Sequence, residues 1–274
     1  MPYTFIDRLK HGWNAFKNRD PTYYGDYGVG WSSRPDRIRL RPSSEKTIVS
    51  SINTRIAFDV ADTTMIPFTQ FDAHSLGVDI EVVSSTKYLS GGATSIGGLV
   101  IDYGTTPNFT DRMRKELLMN LGAYMTPHVA YMQNLGLETL DARYKVQADN
   151  ALRVAQALKN VEQIKRVNYI GLEDNPFYEL SRRQFGKTSG AMLTIDLDSQ
   201  EACFDFINRL QVVRRATNLF DNKTLAIHPA STIFGNFTPR QRQKMDVLDT
   251  TIRLSIGLEA AEDIIEDIVR SVKG

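Results

Sequence analysis

The chain has a single cysteine, Cys203, among 274 residues, which excludes an intrachain disulfide. Cys203 falls in an apolar pattern with Phe204, Ile207 and Leu210, so a small core residue is expected there and not a nucleophile. Long apolar runs are also missing. No stretch approaches the roughly twenty residues of a membrane span, and the N-terminus lacks the apolar core of a signal peptide. The expected setting is the cytoplasm, with no membrane partner. A charge excess of either sign is absent as well: 33 Lys and Arg stand against 32 Asp and Glu, which gives no argument for a nucleic-acid partner. No metal is expected.

What is present centres on residues 62–102. The run Val78-Asp79-Ile80-Glu81-Val82-Val83 alternates apolar and acidic residues and then turns fully apolar, the pattern of a partly buried strand. Ser84-Ser85-Thr86-Lys87-Tyr88 follows, and a glycine-rich return passes through Gly97 and Gly98. Lys87 therefore sits just past a strand end. An amine held there, away from bulk water, has its pKa lowered and can serve as a nucleophile. Most lysines are solvated surface charges, so the neighbouring residues decide between the two readings.

Those neighbours are Asp62-Thr63-Thr64-Met65-Ile66-Pro67 upstream, Leu76-Gly77-Val78-Asp79 before the strand, and Thr94-Ser95-Ile96-Gly97-Gly98 after it. Together with the 62–87 interval they resemble the lysine region of the pyridoxal-phosphate (PLP) enzymes of cysteine and methionine metabolism. The resemblance covers roughly residues 62–274. It implies that Lys87 bonds PLP and shuttles protons, that Asp62 keeps the ring nitrogen protonated so that the ring can accept electrons, and that Ser84 and Thr86 hydrogen-bond the phosphate. Without the family, Asp62 reads as a cap or turn residue, and Ser84 and Thr86 as ordinary turn chemistry.

Residues 1–61 read differently. Phe5, Ile6, Leu9, Trp13 and Phe16 recur at helical spacing, and Asp20-Pro21 ends that pattern. A second helix is expected from a Ser44 cap through Ile48, Val49, Ile52, Ile56 and Val60. About ten basic side chains meet about six acidic ones, whereas the remainder is slightly acidic. This segment resembles the N-terminus of a tailed-phage portal protein, which implies a fusion or assembly chimera near residue 60. No stretch within it matches the PLP family's phosphate loop, its ring-stacking aromatic, or the Tyr and Arg that reach a neighbouring subunit's site.

Beyond residue 102, residues 111–121 read as a polar helix and 129–143 as another, containing Gly136-Leu137-Glu138-Thr139-Leu140 and Arg143, a family hallmark of entry to the C-terminal domain. Ala148, Ala151, Leu152, Ala155 and Leu158 line one face of a further helix. Strands are expected at 167–170, 191–197, 212–217 and 251–256, with helices at 200–210 and 260–272. In 251–256 the period of two puts Arg253 opposite Ile252, Leu254 and Ile256. The resemblance assigns Arg253 to the substrate's α-carboxylate, a task suited to a planar guanidinium fork, and places Asn218 near the substrate. Phe220 departs from the family's glycine, and His228 reads as a structural turn residue.

The expected fold is therefore α/β: the C-terminal part of a fold-type-I, aspartate-aminotransferase-like PLP enzyme. A truncated large-domain remnant (62–125) would precede an α+β C-terminal domain (126–274), behind a portal-like segment (1–61). The implied activity is most like that of the O-acetylhomoserine sulfhydrylases, with an amino acid and sulfide or a thiol as substrates, in a homo-oligomer that is usually a tetramer. Methionine γ-lyase and cystathionine-enzyme chemistry is the alternative within the family. A portal-like structural protein carrying a captured enzyme fragment is the alternative outside it. Loss of the N-terminal half-site would impair the activity.

Overall fold

The structure is a computed structural model and describes residues 59–274. The expectations for residues 1–58, including the Ser44 cap, lie outside the described residues. Two sheets organise the rest. In the first, β1 (Val60–Asp62) runs parallel to β2 (Ile80–Val83), and β2 pairs antiparallel with β3 (Leu99–Asp102). Val60 therefore does not close a helix. Its backbone joins a ladder that pairs it with Ile80, and the carbonyl of Asp59 accepts the N–H groups of Asp79 and Ile80, so long-range pairing overrides the helical period. The strand expected over 78–83 starts two residues later, at Ile80.

A helical stretch follows as α1 (Phe109–Arg112), a π-helical segment (Met113–Leu118) and α2 (Met119–Leu121). α3 (Pro127–Glu138) opens on Thr126, whose hydroxyl accepts the Val129 N–H, with Pro127 in the first helical position. α4 (Leu140–Leu158) is the central helix. The single helix expected over 129–143 is interrupted at Thr139, which leaves helical dihedrals (φ −111°, ψ 4°) while its hydroxyl accepts from Arg143 Nε at 3.0 Å. Arg143 thus belongs to the long helix.

The remaining elements alternate: β4 (Arg166–Asn168), α5 (Tyr178–Phe185), β5 (Met192–Asp196), α6 (Gln200–Arg209), β6 (Arg214–Arg215), β7 (Leu225–Ile227), α7 (Pro239–Lys244), β8 (Thr251–Ser255) and α8 (Ala261–Lys273). The strands form a five-stranded sheet in the order β4-β5-β8-β7-β6, antiparallel except for β6 with β7. The strand expected over 212–217 shrinks to two residues, because the N–H groups of Val212 and Val213 go to the Asp267 carboxylate and not to a neighbouring strand. Tyr144, Ala148, Ala151, Val154, Ala155 and Leu158 of α4 and Ile264 and Ile268 of α8 cover this sheet, and the same apolar core extends to Ile66, Phe71 and Tyr88 beside the first sheet. Cys203 is part of that core, as expected: it is fully buried, and burial pushes its thiol up to about 12. Among the described residues no helix is long and apolar enough to cross a membrane.

Candidate active site

β2 ends at Val83, and the chain turns at once. The Lys87 N–H donates to the Ser84 carbonyl at 3.2 Å, and a single 3-10 turn, Tyr88–Ser90, follows. The Thr86 hydroxyl donates to the Gly97 carbonyl (3.2 Å) and accepts the Gly97 N–H (3.0 Å), so the glycine-rich return is stitched to the lysine turn. Gly97 leaves room for the close approach: a Cβ would stand 2.7 Å from Ser85 Oγ and 2.8 Å from the Met125 methyl, and both side chains would have to move.

The Lys87 side chain leaves this turn toward the other sheet, where its Nζ donates to Asn218 Oδ1 at 2.7 Å. Arg253, on β8, lies close enough to act on the same ammonium. Burial first, and the Arg253 charge second, hold the Lys87 pKa below the ordinary lysine value. Arg253 is itself lowered to about 10 by desolvation, so it keeps its charge at neutral pH. Its Nη2 donates to the carbonyls of Thr217 (2.9 Å) and Asn218 (3.1 Å), and no other nitrogen of its fork is bonded within the described residues. The remaining Nε and Nη1 N–H groups can donate to a carboxylate.

The expected cofactor donors lie at the end of the first sheet. Asp62 ends β1 in register with Val82, is exposed, and accepts the Thr64 N–H on Oδ1 at 3.0 Å. Ser84 is half-buried; its N–H donates to Thr64 Oγ1 at 2.8 Å, and its hydroxyl has no partner among the described residues. Lys87, Asn218 and Arg253 are thus in direct reach of one another, while Asp62, Ser84 and Thr86 share the neighbouring strand ends. His228 is a buried turn residue, its ring between Ser231 Oγ and the Asp249 carbonyl, each at 2.8 Å.

Residue pattern alone did not reveal the clamp around the turn. Arg143, buried and lowered in pKa by desolvation, donates through Nη1 to the Tyr88 carbonyl (2.7 Å) and through Nη2 to the Gly136 carbonyl (2.6 Å). Gly136 permits the contact: a Cβ there would lie 2.0 Å from the Leu89 carbonyl oxygen. The Ala191 N–H donates to the Tyr88 hydroxyl (3.1 Å), and Asn222 Nδ2 donates to the Gly91 carbonyl (2.8 Å). Phe220 stacks on Tyr88 with ring centroids 4.1 Å apart, and its φ of 56° is the left-handed conformation that a glycine adopts without strain. Only the sequence spacing from Gly136 to Arg143, two helical turns, hinted at the first of these contacts.

A lysine amine in a desolvated turn, a carboxylate at a parallel strand end and a guanidinium across from them define the class: an α/β enzyme of PLP fold type I. The match to known proteins is specific. The family model described as "Cys/Met metabolism PLP-dependent enzyme" matches residues 45–273, and the chain belongs to that family. L-methionine gamma-lyase of Fusobacterium nucleatum subsp. nucleatum is 35% identical over 274 residues, covering 98% of this chain and 67% of its own length. O-succinylhomoserine sulfhydrylase of Pseudomonas aeruginosa is 34% identical over 200 residues, 72% of this chain and 48% of its own. The crystal structure of an O-acetylhomoserine (thiol)-lyase from Campylobacter jejuni, which contains N'-pyridoxyl-lysine-5'-monophosphate, superposes with a TM-score of 0.76 at 30% identity over 79% of this chain and 59% of that one. The chain therefore spans about half to two thirds of the length of these relatives.

The donor set fits PLP. An aldehyde is met best by an amine of depressed pKa, and burial and the Arg253 charge depress that of Lys87; a pyridinium needs a carboxylate, and Asp62 presents one to solvent. The Ser84 hydroxyl, without a partner, is available to a phosphate oxygen, whereas Thr86 would have to exchange its bonds to Gly97.

Proposed function

We propose that residues 62–274 carry the lysine half of a PLP site of the sulfhydrylase type, in which sulfide displaces acetate from O-acetylhomoserine to give homocysteine and acetate. The observation that carries this is the Lys87 amine, desolvated and held 2.7 Å from Asn218 beside a guanidinium whose Nε and Nη1 have no partner among the described residues. Bound PLP supplies an electron sink for the carbanion left when the substrate loses its α-proton. In this reading Lys87 bonds the cofactor and then moves protons, Asp62 faces the ring nitrogen, and Ser84 and Thr86 hold the phosphate. Arg253 takes the substrate carboxylate, and Asn218 steadies Lys87 and lines the substrate side. The amino-acid substrate, the thiol and a homo-oligomeric state are part of the same proposal, as is impaired activity for this chain on its own.

The test is a PLP titration of the purified chain that follows the visible absorbance of the lysine-bound cofactor, then borohydride trapping and peptide mapping. Label on Lys87, abolished in Lys87→Ala, supports the reading; folded, soluble protein that develops no band refutes it. A second reading, elimination from methionine, is favoured by the methionine gamma-lyase that aligns along 98% of the chain. Supplying methionine alone, against O-acetylhomoserine with sulfide, separates the two. For residues 1–61 the portal-like reading, with a fusion near residue 60, is a separate proposal, contested by the family match from residue 45 onward and by the methionine gamma-lyase alignment along 98% of the chain. Ring-shaped oligomers in electron micrographs would favour it.

A further inference from the structure

We propose that Phe220 is a positioning residue: its ring, locked on Tyr88, makes residues 217–222 a strut that sets the Lys87 amine and the Arg253 guanidinium relative to each other. The inference deepens the reading above, because it concerns the two groups to which that reading gives the cofactor and the substrate carboxylate. An aromatic residue at φ 56° is strained and persists only where its surroundings over-determine it. Here they do. The Phe220 side chain is fully buried and lies almost parallel to Tyr88, with 16° between the rings. Tyr88 is fixed in turn by Arg143 on its carbonyl, by the Ala191 N–H on its hydroxyl, and by Tyr144 edge-on at 5.3 Å.

The loop is fastened on two sides of that ring. Toward β8, the Phe220 N–H donates to the buried Ser255 hydroxyl at 2.6 Å, and the carbonyls of Thr217 and Asn218 accept from Arg253, two residues before Ser255. Toward the lysine turn, Asn218 accepts from Lys87 and Asn222 donates to the Gly91 carbonyl. Gln147 Nε2 donates to the Asp221 carbonyl at 2.7 Å and fixes the loop to α4. The charged group that faces Lys87 is Arg253; Asp221 stands behind Asn218, whose Nδ2 reaches its carboxylate at 3.4 Å. If the ring is removed, the loop can relax out of its left-handed turn, and Asn218 and Arg253 move away from the amine together.

The experiment uses the full chain without cofactor, so that failure of PLP binding and failure of this inference are distinguishable. The Lys87 side-chain resonance, assigned with Lys87→Arg, is titrated by NMR in wild type, Phe220→Leu, Tyr88→Leu and the double variant. Each single variant is expected to move the Lys87 titration up toward that of an ordinary lysine, and the double variant no further, since both remove the same stack. Phe220→Gly keeps the left-handed turn without strain but deletes the ring, so it separates the two: a shift like that of Phe220→Leu assigns the positioning to the ring, and a wild-type titration assigns it to the backbone and overturns the proposal. If Phe220→Leu fails to fold, Phe220→Met fills the space without stacking and carries the test. A merely structural role would lower the melting temperature and leave the Lys87 titration where it was; that result, in variants with wild-type circular dichroism, overturns the proposal.

Discussion

In the five-stranded sheet the central strands β5 and β8 bury Leu193, Ile195, Ile252 and Leu254 completely and hold their buried carboxylate, Asp196, at a strand end against Arg166 and Thr251, whereas the middle strand of the three-stranded sheet buries Glu81 between Ile80 and Val82 with no cation beside it among the described residues. The larger sheet is covered by α4 and α8, and its core continues to Ile66, Phe71 and Tyr88 beside the smaller one. The smaller one leaves Val60 and Val100 exposed, and beyond it Ile96, Met119, Leu121 and Tyr124 face solvent. The lysine turn is part of the smaller sheet by chain order, yet Arg143, Ala191, Asn218, Phe220 and Asn222, which fasten it, all belong to the larger unit. The half that carries the Lys87 amine is thus held in place by the other half.

The largest predicted effect tests that dependence directly. Gly136→Ala puts a Cβ 2.0 Å from the Leu89 carbonyl oxygen, so α3 and the lysine turn must separate. It should cost about 3 kcal/mol or more in urea unfolding and reduce borohydride label on Lys87. Gly77→Ala is the control: it has space around it but a φ of 88°, and should cost only ~1 kcal/mol with labelling intact. Equal losses from the two would break the claim that close approach at Gly136 sets the turn. Arg143→Met comes next. It leaves the Tyr88 and Gly136 carbonyls without their charged donor, at about 3 kcal/mol by denaturant titration.

A smaller effect belongs to the larger unit alone. Burial raises the Asp267 carboxyl, but the N–H groups of Val213, Gln211 and Val212, with Arg270, outweigh it and leave its pKa below the ordinary aspartate value. A folded-state value below the unfolded one contributes stability above about pH 4, and that contribution is lost as pH falls through the folded value. Asp267→Asn should therefore cost about 2 kcal/mol at neutral pH and flatten the acid limb of the stability curve. Its Lys87 labelling should match wild type. An unchanged acid limb would assign the acid sensitivity to another carboxylate.

How legible these features were depended on sequence distance. Lys87, Asp62, Ser84, Thr86 and Arg253 were singled out because the motifs around them resemble those of the PLP family; residue type and local pattern alone left Asp62 a cap or turn residue and Ser84 and Thr86 ordinary turn chemistry. The alternation through Glu81 announced β2, but nothing local announced β1, a three-residue strand defined by its partner. The interruption at Thr139 is invisible to helical periodicity because Arg143 and the Gly136 carbonyl create it. Phe220 stood out as a departure from the family's glycine; that it keeps a glycine-like φ and spends its ring on Tyr88 depends on a contact more than a hundred residues away, which no window of sequence contains.

Glu81 gives the smallest predicted effect and the sharpest test of the contrast between the sheets. It is fully buried, with the Thr63 hydroxyl on one carboxylate oxygen and the Tyr103 hydroxyl, at 2.5 Å, on the other. No cation contacts it among the described residues. Glu81→Val would make β2 resemble β5 and β8. It removes a buried carboxylate and adds apolar burial worth about 1.5–3 kcal/mol. Against that, Thr63, itself buried, loses its partner at about 1–3 kcal/mol, while the half-exposed Tyr103 can turn to water. The two terms nearly cancel, so the expected change is within about 1 kcal/mol by denaturant titration. A loss well beyond that would mean that the carboxylate is what joins β1, β2 and β3, and that the small sheet coheres through polar bonds where the large one coheres through apolar packing.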